Sequence, residues 1–249
     1  MKKYILFALF MNLTTAFSYS QVRINVQGGA GFNSITKSTD YDGNFGFRFG
    51  VGVELPMEHN WSFQTGLQFL NRKSTADKYA PEYIQHKGQE ALCHRILYSQ
   101  INAVYFQLPI KIAVYLPINP NCGLQISAGP YISYGIVGNT DIAVVQHVTL
   151  TNDGSITDFQ DREIHWRSNF ETFDKDNGMR HFDIGSGIGA DFKYKSFFIG
   201  CGVEYGLFFL KRTFPKDVLK AVLDGDRTTV APRNFGVEFH VGYSFCVGK

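Results

Sequence analysis

Apolar and polar residues alternate with a period of two along most of the chain. In Phe45–Leu55, Phe45, Phe47, Phe49, Val51, Val53 and Leu55 oppose Gly46, Arg48, Gly50, Gly52 and Glu54. In Tyr105–Tyr115, Phe106, Leu108, Ile110, Ile112 and Val114 oppose Tyr105, Gln107, Pro109, Lys111, Ala113 and Tyr115. Such alternation places one set on each face of a strand. The spacing predicts strands over Ile24–Asn33, Phe45–Leu55, Trp61–Asn71, Ile101–Tyr115, Cys122–Ile136, His181–Tyr194, Phe197–Lys211 and Asn234–Val247. Pro56–Asn60, Pro117–Asn121 and Lys195-Ser196 read as short turns, and Asp40–Asn44 as a turn-rich link. Arg72–Ser99 and Val137–Arg180 read as long, charged connections. Within the second, Ile142–Leu150 and Ile156–Phe159 flank Asn152-Asp153-Gly154 as a small hairpin beyond the main sheet. Thr213–Gly225 reads as a short helix, with Pro215 in its first turn and Gly225 at its end.

The second face decides the class. It carries mainly Gly, Ser, Asn and Gln with isolated charges, whereas the solvated face of a soluble sheet would be crowded with Lys, Glu and Thr. Small polar side chains suit the interior of an eight-stranded barrel, which is just filled by side chains. Short links alternate with long ones, as in a barrel with tight periplasmic turns and long extracellular loops. Strands of about 9–11 residues suffice to cross a bilayer at a tilt. The expected fold is all-β: a transmembrane up-and-down antiparallel barrel of eight strands. Phe47, Val51, Leu67, Ile110 and Val203 are expected to face lipid. Arg48, Glu54, Lys111, Asp183, Asp191, Glu204, Glu238 and His240 are expected to form a polar network in the lumen. Glu204 and Glu238 should lie close together, capped by Arg48, Lys111 or both, because buried charges must pair or neutralise.

Composition agrees with an exported β protein. The chain has 249 residues, 25 of them Gly, 23 Phe and 13 Tyr, which favours an aromatic-rich sheet with many positions kept small. A net charge of +2 with no basic stripe gives no footing for a nucleic-acid partner. Lys2-Lys3, the apolar run Tyr4–Leu13 and Ser18-Tyr19-Ser20 predict a signal peptide over residues 1–20, leaving 21–249 as the barrel domain. The apolar run is shorter than the roughly 20 residues a spanning helix needs. Cys93 falls in a loop, Cys201 on an apolar face, and Cys122 and Cys246 near strand ends; no structural bridge is expected.

The order and spacing of several motifs resemble the PorT-like outer-membrane β-barrel family of Bacteroidota. They are Tyr105-Phe106-Gln107-Leu108-Pro109-Ile110-Lys111-Ile112, Gly129-Pro130-Tyr131, the early Gly28-Gly29-Ala30-Gly31-Phe32 and the late Glu204-Tyr205-Gly206-Leu207. Gln107 stands where the family usually carries an acid, and the chain ends Phe245-Cys246-Val247-Gly248-Lys249 rather than on an aromatic. The resemblance implies a small Gram-negative outer-membrane barrel and no particular activity.

Catalytic chemistry has little footing. His240 and Ser244 share a face but lie four residues apart, roughly 13 Å at strand rise, too far for a nucleophile and its base. Asp174-Lys175-Asp176-Asn177-Gly178 resembles the start of a calcium loop but lacks the later Glu. No catalytic residue, cofactor or metal site is expected. The expected role is structural or binding, through the extracellular loops, with outer-membrane lipid, lipopolysaccharide and a protein as partners. The alternative is a lipid-active acyl hydrolase or an accessory of protein secretion.

Overall fold

The computed structural model describes residues 22–36, 41–86, 89–152, 155–173, 179–207 and 233–247. Among the described residues there are nine antiparallel strands: β1 (Val22–Thr36), β2 (Tyr41–Pro56), β3 (Trp61–His86), β4 (Gln89–Asn119), β5 (Cys122–Asn152), β6 (Ser155–Glu171), β7 (Phe182–Tyr194), β8 (Phe197–Gly206) and β9 (Arg233–Val247). Each strand except β6 has a hydrogen-bonded neighbour on either side, in the ring β1-β2-β3-β4-β5-β7-β8-β9. The ring closes where β9 returns to β1, Val22 pairing with Val247 and Thr36 with Arg233. The eight strands of the ring form the expected up-and-down barrel, and β6 is a ninth strand that among the described residues pairs only with β5.

The alternation sorts the wall as the sequence implies. Along β4, Tyr105, Gln107 and Ala113 are almost fully buried, whereas Phe106, Leu108 and Ile112 are exposed on the outside. Phe47, Val51, Leu67 and Val203 also point outward and are exposed, Leu67 by 55%. Ile110 is half-exposed. On one side of the wall the outer aromatics touch: Phe47 and Phe69 both lie against Phe49, and Phe69 meets Phe106 edge-on at 5.4 Å.

Three connections differ from the sequence reading. Residues 72–86, 89–99, 137–152 and 155–171 are strand, so β3 runs for 26 residues and β4 and β5 for 31 each, and the hairpin expected within the second connection is present but longer than its expected bounds. Charged side chains mask the strand pattern there, yet the backbone pairing is continuous from Lys73↔Asn102 to His86↔Gln89. β2 begins at Tyr41, inside the anticipated turn, and has a register shift between Gly43 and Arg48. Cys93 therefore lies in β4, and Cys122, Cys201 and Cys246 are free. The expected signal peptide, the helix at 213–225 and the Asp174–Gly178 loop lie outside the described residues.

The long strands raise β3, β4, β5 and β6 into a sheet beyond the rim. The β5–β6 hairpin from Asn139 to Glu171 adds about 14 residues to β5, roughly 45 Å along the strand. Both free edges of this sheet are interrupted. Pairing of β2 with β3 stops at Ala76, and Pro81 then removes an N–H from the uncovered edge. On β6, His165, Asp161 and Thr157 have no partner across the pair, because the register shifts at Val144/Val145, His147/Val148 and Leu150/Thr151. Bulges and prolines of this kind discourage further strand pairing.

The interior is narrow enough to require glycine. A Cβ on Gly129 would overlap the backbone of Ile110 and Lys111, which cannot give way. A Cβ on Gly28 would meet nothing within 4 Å. Gly129→Ala is therefore expected to destabilise the barrel by about 1–3 kcal/mol, whereas Gly28→Ala stays within about 0.5 kcal/mol. Urea midpoints for refolding into detergent micelles check this, and equal midpoints would contradict it.

Candidate functional site

The inward faces carry an ion-paired network that fills the ring. Arg48 of β2 reaches across to Glu204 of β8, its Nη1 donating to Oε1 at 2.9 Å and its Nη2 to Oε2 at 2.7 Å. The same guanidinium contacts Glu238 of β9 and donates to Gln68 Oε1 at 3.1 Å. Gln107 of β4 donates to Glu204 Oε1 at 2.7 Å. Arg72 of β3 forms the next layer. Its Nη1 donates to Asp183 Oδ2 at 2.9 Å, its Nη2 donates to Gln107 Oε1 at 3.1 Å, and the guanidinium lies over the rings of Tyr105 and Tyr131. Asn234 donates to the same Asp183 oxygen at 2.7 Å. Charge-assisted, two-pronged contacts of this kind fix geometry as well as charge. The space beside Arg48, Glu204 and Glu238 is a gap of about 10 Å³, room for no more than one water.

Towards the short turns a second group forms. Lys193 Nζ lies 2.7 Å from Glu54 Oε2, Gln125 donates to Glu54 Oε1 at 2.9 Å, and Arg23 at the rim lies 3.6 Å from the same carboxylate. His240 Nε2 is 2.8 Å from Asp191 Oδ1. Between the two groups lies a polar cavity of about 60 Å³, lined by Gln64, Gln68, Lys111, Ser127, Asp191 and His240. Its size and lining suit a few ordered waters. Among the described residues no cluster of three or more His, Cys, Asp or Glu could hold a metal.

The far end is closed by apolar groups. Leu70, Ile101, Ala103 and Tyr105 form one cluster with Phe173 and Met179, which enter from the segment between β6 and β7. The Phe173 ring stacks on His181 at 4.9 Å and meets Tyr105 edge-on at 5.5 Å. His181 Nδ1 lies 2.7 Å from the Gly135 carbonyl, and the hydroxyls of Thr140 and Thr172 are 3.0 Å apart.

Of the eight residues expected in the lumen, Arg48, Glu54, Asp183, Glu204, Glu238 and His240 are buried and Lys111 and Asp191 line the polar cavity, but their contacts do not join them in one network. Arg48, Glu204, Glu238 and Asp183 come together; Glu54 lies in the second group; Asp191 and His240 pair with each other. Of the expected caps, Arg48, Lys111 or both, Arg48 makes the direct contacts. Among the described residues Lys111 makes no hydrogen bond or ion pair; it lines the cavity, and Glu204 is already saturated by Arg48 and Gln107. Arg72, Lys193, Gln107 and Gln125 were not anticipated. Lys193 continues the Asp183-to-Asp191 alternation and was legible from it. Arg72 was hidden because β3 was ended at Asn71. Phe173 and Met179 gave one faint signal, large apolar residues within a charged stretch.

A closed antiparallel ring with an apolar outer wall and a paired polar interior is a transmembrane β-barrel. A family model described as outer membrane protein beta-barrel domain matches residues 9–211. The chain belongs to that family and resides in the bacterial outer membrane. Among solved structures it is similar to Ail, the attachment invasion locus protein of Yersinia pestis, at 11% identity over 90% of this chain and 99% of that one, with a TM-score of 0.34. It is also similar to Neisserial surface protein A, at 12% identity over 89% and 97% of the two chains with a TM-score of 0.33. The N-terminal barrel domain of Pseudomonas aeruginosa OprF matches at 9% identity over 91% and 99%, with a TM-score of 0.31. Likeness at this level carries nothing about ligands or partners. No curated protein matches the sequence.

Removing Arg48 leaves two buried carboxylates without their cation. Arg48→Met is expected to cost about 3–5 kcal/mol, and Arg48→Met with Glu204→Gln should recover part of it. Lys111→Met should cost less than Arg48→Met, because Lys111 faces the polar cavity and no direct ion pair is lost with it. Urea unfolding followed by heat-modifiable gel mobility gives the order; a larger loss for Lys111→Met would contradict the assignment.

Proposed function

We propose that the protein is a non-enzymatic outer-membrane barrel whose lumen is sealed by its own side chains and which binds partners through the sheet raised beyond its rim. The observation that carries this reading is the Arg48–Glu204–Glu238 cluster, because it spans the ring and leaves a gap of about 10 Å³. Solute passage has no route through such a layer, whereas the raised sheet offers a large surface on the extracellular side. Both edges of that sheet are blunted, which favours recognition by its faces over addition of another strand. Phe47, Val51, Leu67, Ile110 and Val203 face lipid in this reading, with outer-membrane lipid and lipopolysaccharide as constant neighbours. Residues 1–20 serve as a cleaved export signal. The motifs around Gln107 and Pro130 support the narrower PorT-like affiliation within the barrel family.

An acyl-hydrolase reading gains no support from His240. Its Nε2 is engaged by Asp191 inside the barrel, away from the outer leaflet. No observation favours a role in secretion over binding at the surface.

In planar bilayers the protein should show almost no steady conductance. A large, persistent, ion-permeable conductance would end the sealed-lumen reading. Topology is tested separately. An epitope inserted between Asn152 and Ser155 should bind antibody on intact cells, and one inserted at His59 only after permeabilisation. The reverse pattern would overturn the extracellular placement of the raised sheet.

A further inference from the structure

The outer wall is not uniform. Across β2, β3 and β4 the exposed aromatics tile the surface, with Phe49 and Phe69 only 4.9 Å apart. Across β7, β8, β9 and β1 the wall instead holds an open cavity of about 640 Å³. Ile199 and Val241, paired across β8 and β9, form its floor, and Phe197 and Tyr243, paired one step nearer the β7–β8 turn, form its wall, with Phe192, Tyr194, Val26 and Phe245 completing the lining. Phe197 meets Tyr243 edge-on at 4.9 Å, and Tyr243 meets Phe245 at 4.7 Å. Val241 is paired with Gly28, which has open space where a side chain would be, so the floor stays low.

We propose that this groove holds one acyl chain of a periplasmic-leaflet phospholipid, with the lipid phosphate on Lys195. The lining chemistry fits a hydrocarbon chain: every side chain on it is aromatic or aliphatic. Resting on the extracellular placement of the raised sheet proposed above, its position fits the inner leaflet, because Tyr194 and Phe197 flank the tight β7–β8 turn at the opposite end of the barrel. The charge also fits. Lys195 occupies that turn, with its Nζ 5.7 Å from the Tyr194 ring centroid, at the depth where an anionic headgroup meets the wall. A second copy of the chain is the rival occupant. It would have to fill a concave surface with a convex one, whereas on the wall opposite Phe49, Phe69 and Phe106 are packed against one another.

The test is native mass spectrometry of the full-length barrel in detergent supplied with phosphatidylglycerol. The wild type should retain one lipid. Val241→Trp, which fills the floor, should reduce retention to the level of non-specific adducts, and Gly28→Leu should do the same from the neighbouring strand. Lys195→Gln should weaken retention about fivefold. Leu67→Trp, on the opposite wall, should leave it unchanged. Heat-modifiable mobility shows that each variant is folded. A wild type without bound lipid, retention that survives both filling substitutions, loss on Leu67→Trp, or a dimer in place of the lipid adduct would each overturn the proposal.

Discussion

In hydrocarbon no water is available to satisfy a backbone N–H or C=O, and each group left unpaired costs several kcal/mol. A sheet in that solvent must close on itself, and here the closure is the β1–β9 pairing. Much else follows from it. Eight strands make a ring too narrow for a second layer of large residues, so inward positions are often glycine, serine or amide. Any charge that points inward is then cut off from bulk water and must find its counter-charge across the ring. Arg48 does so by bridging β2 to both β8 and β9.

The same constraint explains why the closed wall was legible in the sequence and the raised sheet was not. Within the membrane both faces of each strand are tightly prescribed, and Phe47, Arg48, Phe49 and Gly50 announce their orientation one by one. Above the rim neither face must be apolar, so the period-two signal fades although the backbone pairing persists. Tyr79-Ala80-Pro81-Glu82 reads as a loop and is strand. The hairpin of β5 and β6 was legible at its turn, through Asn152-Asp153-Gly154, but its length was not.

The lumen was legible by composition and opaque in its pairing. Alternation identifies which side chains enter the barrel, but which of them meet depends on strand tilt and register across the ring, where distant strands face each other. Glu204 and Glu238 are close because β8 and β9 are neighbours. Arg48 meets them because β2 lies two places further round the ring. Gln107, an amide, donates to Glu204 and accepts from Arg72. An acid at that position would have added a further negative charge to the layer and lost the donor that Glu204 uses.

The pairing of Val22 with Val247 also sets an order of events in time. β1 leaves the ribosome long before β9 and waits for it, with 196 residues of synthesis and export between them. Until β9 arrives, β1 and β8 both present bare edges, so the partly emerged chain is the most adhesive form this molecule takes. A chain that stops short of β9 does not yield a smaller barrel; it yields a strip with two reactive margins. Completeness of the ring thus comes down to one element: whether β9 is there to hide them.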